Sequence, residues 1–288
     1  MFIIYINDLD ANIVSNISKF ADDTKLGDRV ATEQDFQQIQ SDLKRIEEWS
    51  QKWQMKFNVD KCKVMHIGHN NPKKDYQMAG KNLITVTEEC DLGVIINNDL
   101  KSSKHCSSAA KKANRMLGMI SRTVSYKTKF NVLKLYNAFV RPHLEYSVQF
   151  WSPYLRKDIN KLEKVQRRAT KLIPSLRNKS YENRLRELNL YSLEKRRLRG
   201  DMIEVWKIMK GKENINRGRL FTIEENGVTR SNGFKIIGKR FNTEIARNFF
   251  TYRVVNEWNK IPYNVINCET LDTFKKRLDK YYADRRIL

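Results

Sequence analysis

From about Ser102 onward, apolar residues return every three or four positions in one segment after another, and that period commits most of the chain to helix. Ala109, Ala110, Ala113, Met116, Leu117 and Ile120 mark one amphipathic helix. Val132, Leu135, Tyr136, Phe139 and Val140 mark a second, which Pro142 is expected to stop. Over residues 157–173 the apolar stripe is Ile159, Leu162, Val165, Ala169, Leu172 and Ile173, and Pro174 ends it. Residues 181–210 read as further Arg-rich helix, the Gly-punctuated stretch 211–240 as loop or small sheet, and 242–259 and 270–282 as a last helical pair.

The first hundred residues follow a different rule. Residues 2–6 form a short apolar element and 7–12 a loop. Residues 17–27 (ISKFADDTKLG) read as a short hairpin with Asp22 and Asp23 at or near its turn. A helix from about Thr32 to Trp53 carries Phe36, Ile39, Leu43, Ile46, Trp49 and Trp53 on one face, with Thr32 as its N-cap. Residues 55–67 suggest extended chain around a turn at 58–61, residues 76–79 and 83–87 a hairpin, and Leu92 to Ile96 a further strand. The fold class is therefore α+β, a short antiparallel sheet with a helix followed by a mostly helical remainder.

Charge divides at the same place. Residues 1–100 hold 12 Lys and Arg against 16 Asp and Glu, net −4, whereas residues 101–288 hold 43 against 17, net +26. That asymmetry suggests a chemistry-bearing portion joined to a polyanion-binding portion, with a basic scaffold protein as the bland alternative. Lys157, Lys161, Lys164, Arg168 and Lys171, spaced 4, 3, 4 and 3, form a basic stripe that can follow a phosphate backbone without reading bases. A solvated helix face is the competing reading. Trp151, Trp206 and Trp258 can stack on bases, but their spacing favours core packing.

Cys62, Cys90, Cys106 and Cys268 form no CxxC pair, which points to a reduced intracellular compartment. His66 and His69 near Cys62 lack a second ligand pair at zinc-finger spacing. No apolar run approaches membrane-spanning length, and the opening FIIYI lacks the length and basic flank of a signal peptide.

An Asp pair in a turn is by itself ordinary turn chemistry. Nucleotidyl transfer, however, uses two Mg²⁺ held by hard carboxylate oxygens, and a tight hairpin presents carboxylates without burying them unpaired. The surroundings sharpen the point. FADD at 20–23 is followed by a long helix, then WxxKWxMxFNxxKCxVMxxG from Trp49 to Gly68, then LGVIINNDL from Leu92 to Leu100. FVRPHLEYSVQFWSPY (Phe139 to Tyr154), KVQRRATKLI (Lys164 to Ile173) and WNKIP (Trp258 to Pro262) complete the series. In this order these motifs resemble the reverse transcriptases of LINE-type, non-LTR retrotransposons, particularly the jockey-like group, over essentially the whole chain.

The resemblance implies a partial polymerase palm over 1–100, a helical thumb over 101–176 gripping template–primer, and a basic helical C-terminal region over 177–288. It implies Asp22 as the ligand shared by two Mg²⁺ ions and Asp23 as its neighbour in the same box. Phe20 and Ala21 would lie near the primer end, Lys61 near pyrophosphate or phosphate, and Leu92 and Gly93 would begin a strand that helps hold the primer. The implied partners are an RNA template, a DNA primer and, with the upstream half, dNTPs. Neither a membrane nor a small-molecule cofactor is implied. The implied location is the nucleus or a cytoplasmic ribonucleoprotein.

In that family a further metal-binding Asp, the fingers and a Gln-Gly-containing segment lie upstream of the residues matching FIIYINDL. The expectation is therefore a C-terminal portion that does not extend a primer alone, with Phe2, Ile3, Ile4 and Ile6 left as exposed apolar surface. A non-catalytic RNA- or DNA-binding remnant is the alternative, and a basic helical interaction protein with a chance FADD the third reading.

Overall fold

The computed structural model describes residues 6–224 and 233–284, and the chain divides into two compact units, 1–100 and 101–288. Each is built around its own core.

In the first unit, β1 (Asn16–Phe20) and β2 (Asp23–Gly27) form an antiparallel hairpin in which Phe20 pairs with Asp23. Ala21 and Asp22 make the turn, and Ala21 sits at φ 52°, the left-handed region that a side chain disfavours. Helix α1 (Glu33–Trp53) starts as its sequence demands, since Thr32 accepts from Asp35 N and the Asp35 carboxylate accepts from Thr32 N. Its inner face, Ile39 and Ile46, packs with Ile6, Leu9, Tyr76, Met78 and Leu83. Ile6 is thus buried rather than exposed, because α1 and the strands that follow cover it; Phe2, Ile3 and Ile4 lie outside the described residues.

Asp42 of α1 is the polar centre of this unit. Its fully buried carboxylate accepts from Ser15 N at 2.9 Å, Val14 N at 3.3 Å and Arg45 Nη1 at 2.8 Å. Burial alone would raise its pKa, but the hydrogen bonds outweigh that and hold the carboxyl below its usual range. The interaction fixes the chain entering β1.

The remaining strands are short. Strand β3 (Lys63–Val64) pairs in parallel with β6 (Ile84–Thr85), and β4 (Gln77–Met78) pairs with β5 (Lys81–Asn82) across an Ala79–Gly80 turn. Strands β7 (Glu88–Asp91) and β8 (Val94–Asn97) form the last hairpin. Leu92 and Gly93 do not begin a strand. They are its two-residue turn, both at positive φ (45° and 81°), the geometry that matches the twist of paired strands.

The second unit is helical among its described residues apart from one bridge, Ile223 to Ile236. Its elements include α2 (Ser103–Thr123), α3 (Lys129–Leu135), a π-helical turn (Tyr136–Val140) and α4 (Arg141–Glu145). Helices α5 (Arg156–Lys171), α6 (Leu193–Met209) and α7 (Leu271–Asp284) follow. The stretch expected as one helix over 242–259 is three short turns of helix, Glu244–Asn248, Phe250–Arg253 and Val255–Lys260.

Pro142 does not stop the second predicted helix, because the π turn absorbs it. Arg141 N bonds back to Tyr136 O, and the widened turn leaves room for a residue that lacks an N–H. The π turn also explains the core spacing. Val132, Tyr136, Val140 and Leu144 are all buried at steps of four. In an uninterrupted α-helix each such step would drift by about 40°. The wider turn takes the drift back and holds one face inward, which leaves Phe139 outside, 48% exposed, where plain periodicity placed it in the core. Trp206 and Trp258 are fully buried, with indole N–H groups donating to Ile266 O and Phe234 O, as core packing requires.

His105 on α2 lies buried against the Trp151 ring at 4.5 Å between centroids. Burial, and secondarily Lys112, lowers its pKa to about 4. Between pH 6.5 and about 4 the unfolded chain takes up a proton that the folded chain refuses. Stability is therefore complete above that window and falls as pH drops through it, by on the order of 3 kcal/mol. Urea midpoints measured at pH 7 and pH 4.5 should differ more for the parent than for His105→Gln; equal pH slopes would contradict this assignment.

Candidate functional site

The β1–β2 hairpin alternates strictly. Thr24 and Leu26 turn with Lys19 and Ile17 toward the unit, while Asp23, Lys25, Phe20 and Ser18 share the open face. Asp22 and Asp23 are both exposed, and neither carboxylate has a hydrogen bond or ion pair among the described residues. Phe20, directly across from Asp23, is likewise exposed. Behind them Lys19 is immobilised, donating to Ile6 O, Asn7 O and Asp10 Oδ1 at 2.7–3.0 Å. The hairpin tip is thereby held at its base and open at its end.

Lys25, two residues beyond Asp23 on that open face, pairs with Asp91 at 2.5 Å. Asp91 is the last residue before the Leu92–Gly93 turn. One ion pair thus ties the Asp22–Asp23 hairpin to the hairpin that carries Leu92 and Gly93, bringing together two groups of candidate residues far apart in sequence. Lys61 is not gathered with them by any hydrogen bond or ion pair among the described residues; it is exposed at the end of the 3₁₀ turn Val59–Lys61.

Two adjacent carboxylates suit a hard cation such as Mg²⁺ in donor type but not in number. Among the described residues no group of three or more His, Cys, Asp or Glu side chains could hold a metal ion.

The basic stripe of the second unit is exposed along its length, and it resolves into two rows. Lys161 Nζ donates to Ser107 Oγ at 2.6 Å and Arg168 Nη1 to Asn114 Oδ1 at 3.2 Å, so these two cations are committed to the edge of α2. Both pairs advance by seven residues on each helix, so α2 and α5 run parallel in register. Lys157, Lys164 and Lys171 form the outer row and have no partner among the described residues. On α2, Lys111 falls between the two contacts at helical spacing from each.

Helix α2 contains no Asp or Glu, and both acids of α5, Asp158 and Glu163, are buried. The paired helices therefore present cations with no exposed carboxylate of their own. The cations of α5 are readable from their spacing, whereas α2 as their partner is not. Asp158 and Glu163 give little sign of being interior groups, although Glu163 falls beside Leu162 in the apolar stripe.

Among the described residues no helix is long and apolar enough to cross a membrane. Over 141 residues the chain is 26% identical to the RNA-directed DNA polymerase from the mobile element jockey of Drosophila funebris. The match covers 47% of this chain and 15% of that relative, so the similarity spans a small part of the polymerase's length. No family model and no solved structure matches the chain. At that level the chain is related to a reverse transcriptase.

Proposed function

We propose that the chain is part of an RNA-directed DNA polymerase of the retrotransposon type, in which the β1–β2 hairpin contributes metal-binding carboxylates and the α2–α5 face holds template and primer. The observation that carries this reading is the likeness to the jockey polymerase in a chain whose two Asp residues stand unpaired at an open hairpin tip. In nucleotidyl transfer Mg²⁺ supplies charge neutralisation at the attacking and leaving oxygens. Asp22 and Asp23 would hold it, in company with oxygen donors from outside the described residues. Phe20 on the same face would lie against the primer end, and Lys25, through Asp91, would fix the Leu92–Gly93 turn beside it. The RNA template, the DNA primer and dNTPs are the partners this reading names.

Two described carboxylates make a weak site, since like charges repel when too little cation offsets them. That favours a second reading, a remnant that binds nucleic acid without catalysis. Primer extension on an RNA template, with the full chain mixed with a separately expressed upstream palm segment of a jockey-type polymerase, separates the two. The enzyme reading expects incorporation that Asp22→Ala lowers by about a thousandfold or more, and no extension by the chain alone. A Mn²⁺ titration followed by water proton relaxation gives a readout independent of activity, and Asp22→Ala should weaken it. Nucleic-acid binding without incorporation in any pairing would leave the remnant reading.

A further inference from the structure

Helices α3 and α4 and the chain on either side divide sharply into a packed face and an open one. Val132, Tyr136, Val140 and Leu144 fill the core, whereas Phe130 is 69% exposed and Phe139 and Tyr146 are also open. Just before α3, Tyr126 is 82% exposed although its main chain is fixed, because Asn131 Nδ2 donates to Tyr126 O at 3.1 Å and Thr128 caps the same helix.

Cations alternate with these rings. Lys127 follows Tyr126, and Lys134 Nζ lies 5.3 Å from the centroid of Phe130. Neither lysine has a partner among the described residues beyond that ring contact. The one carboxylate in residues 124–150 is Glu145, and it is occupied by Arg196, whose Nη2 donates at 2.9 Å, and by Arg141.

We propose that this ridge, from Tyr126 and Lys127 to Phe130 and Lys134, is a stacking platform for single-stranded nucleic acid, distinct from the α2–α5 face. The inference rests on the nucleic-acid reading of the chain and specifies a site within it. Exposed rings can stack on any unpaired base, and interleaved ammonium groups can meet the phosphates between bases. A duplex offers no open base faces along its length, so the rings favour a single strand. A protein partner fits less well, since the centres of protein interfaces are depleted in lysine, and here lysines alternate with the rings. The fixed main chain at Tyr126 lowers the ordering cost of binding.

The test compares the full chain with Tyr126→Ala/Phe130→Ala by fluorescence anisotropy at about 0.1 M salt. The probes are an oligouridine of about 12 nucleotides and a blunt RNA–DNA hybrid. The alanine variant should bind the single strand about 10–100-fold more weakly, with hybrid binding unchanged, and Tyr126→Phe/Phe130→Trp should restore the affinity. Unchanged single-strand affinity with intact hybrid binding overturns the platform. So does an equal loss on both probes. If the parent binds neither probe, the underlying nucleic-acid reading fails instead. Light scattering supplies the remaining outcome: a shift from dimer to monomer in the alanine variant, with single-strand affinity retained, would make the ridge a contact between copies of the chain and overturn the proposal.

Discussion

Glu163→Ala should lower the melting temperature of the second unit by on the order of 10 °C. The Glu163 carboxylate is buried on α5 and accepts from Leu193 N at 3.1 Å, the first N–H of α6, and from the Tyr181 hydroxyl. Gln166, one turn on, accepts from the Tyr136 hydroxyl at 2.6 Å and donates to Tyr181 Oη and Tyr191 O at 2.9 Å each. Burial, and next the neighbouring carboxylate, push the Tyr181 phenol far up, so it remains a donor. Truncating Glu163 strands a helix N-terminus and a phenol in the interior together, at a cost of about 3–5 kcal/mol. In a unit of this size each kcal/mol is worth about 2–4 °C. Glu163→Gln keeps an acceptor for Leu193 N and should recover part of the loss. Thermal melts of the three proteins decide the matter, and a shift for Glu163→Ala no larger than that of a surface substitution would show that the network does not hold α5 to α6.

Reversing the outer row, Lys157→Glu/Lys164→Glu/Lys171→Glu, should weaken hybrid binding by at least about a hundredfold and reduce the slope of log affinity against log salt by about three. The melting temperature should stay where it was, because none of the three lysines has a partner among the described residues. Lys161→Ala and Arg168→Ala make the contrast. Those side chains already donate to Ser107 and Asn114, so their removal costs α2–α5 packing and has a smaller effect on the salt slope. Unaltered affinity and salt slope in the triple variant would remove this face from the interface.

Local chemistry was the most legible part of the sequence. The Thr32 cap and the hairpin around Asp22 and Asp23 rest on interactions a few residues long, so the residues that specify them are close in sequence. The failures have a common cause in distant neighbours. The five-cation stripe reads as one row because its helix alone is helical, and it splits because α2 takes Lys161 and Arg168. Asp42 and Glu163 look like solvated acids, since the amide hydrogens that draw them inward, those of Ser15 and Leu193, come from segments 27 and 30 residues away. The apolar neighbours of Leu92 and Gly93 suggest a strand, while the turn depends on both residues taking positive φ. The location of the Asp pair was therefore readable, and its tie to the second hairpin through Lys25 and Asp91 was not.

The π turn at Tyr136–Val140 makes this part of the molecule sensitive to length rather than to composition. One apolar side chain can replace another on the inward face with modest effect. Loss of a single residue from the turn itself would rewind it to α and leave the inward face nearly in place, because the turn holds one residue more than an α turn. Loss of a residue from the α-helical turns on either side would swing the residues after it about the axis by about 100°. Glu145 would then leave Arg196. Variation in length is open inside the π turn and closed beside it.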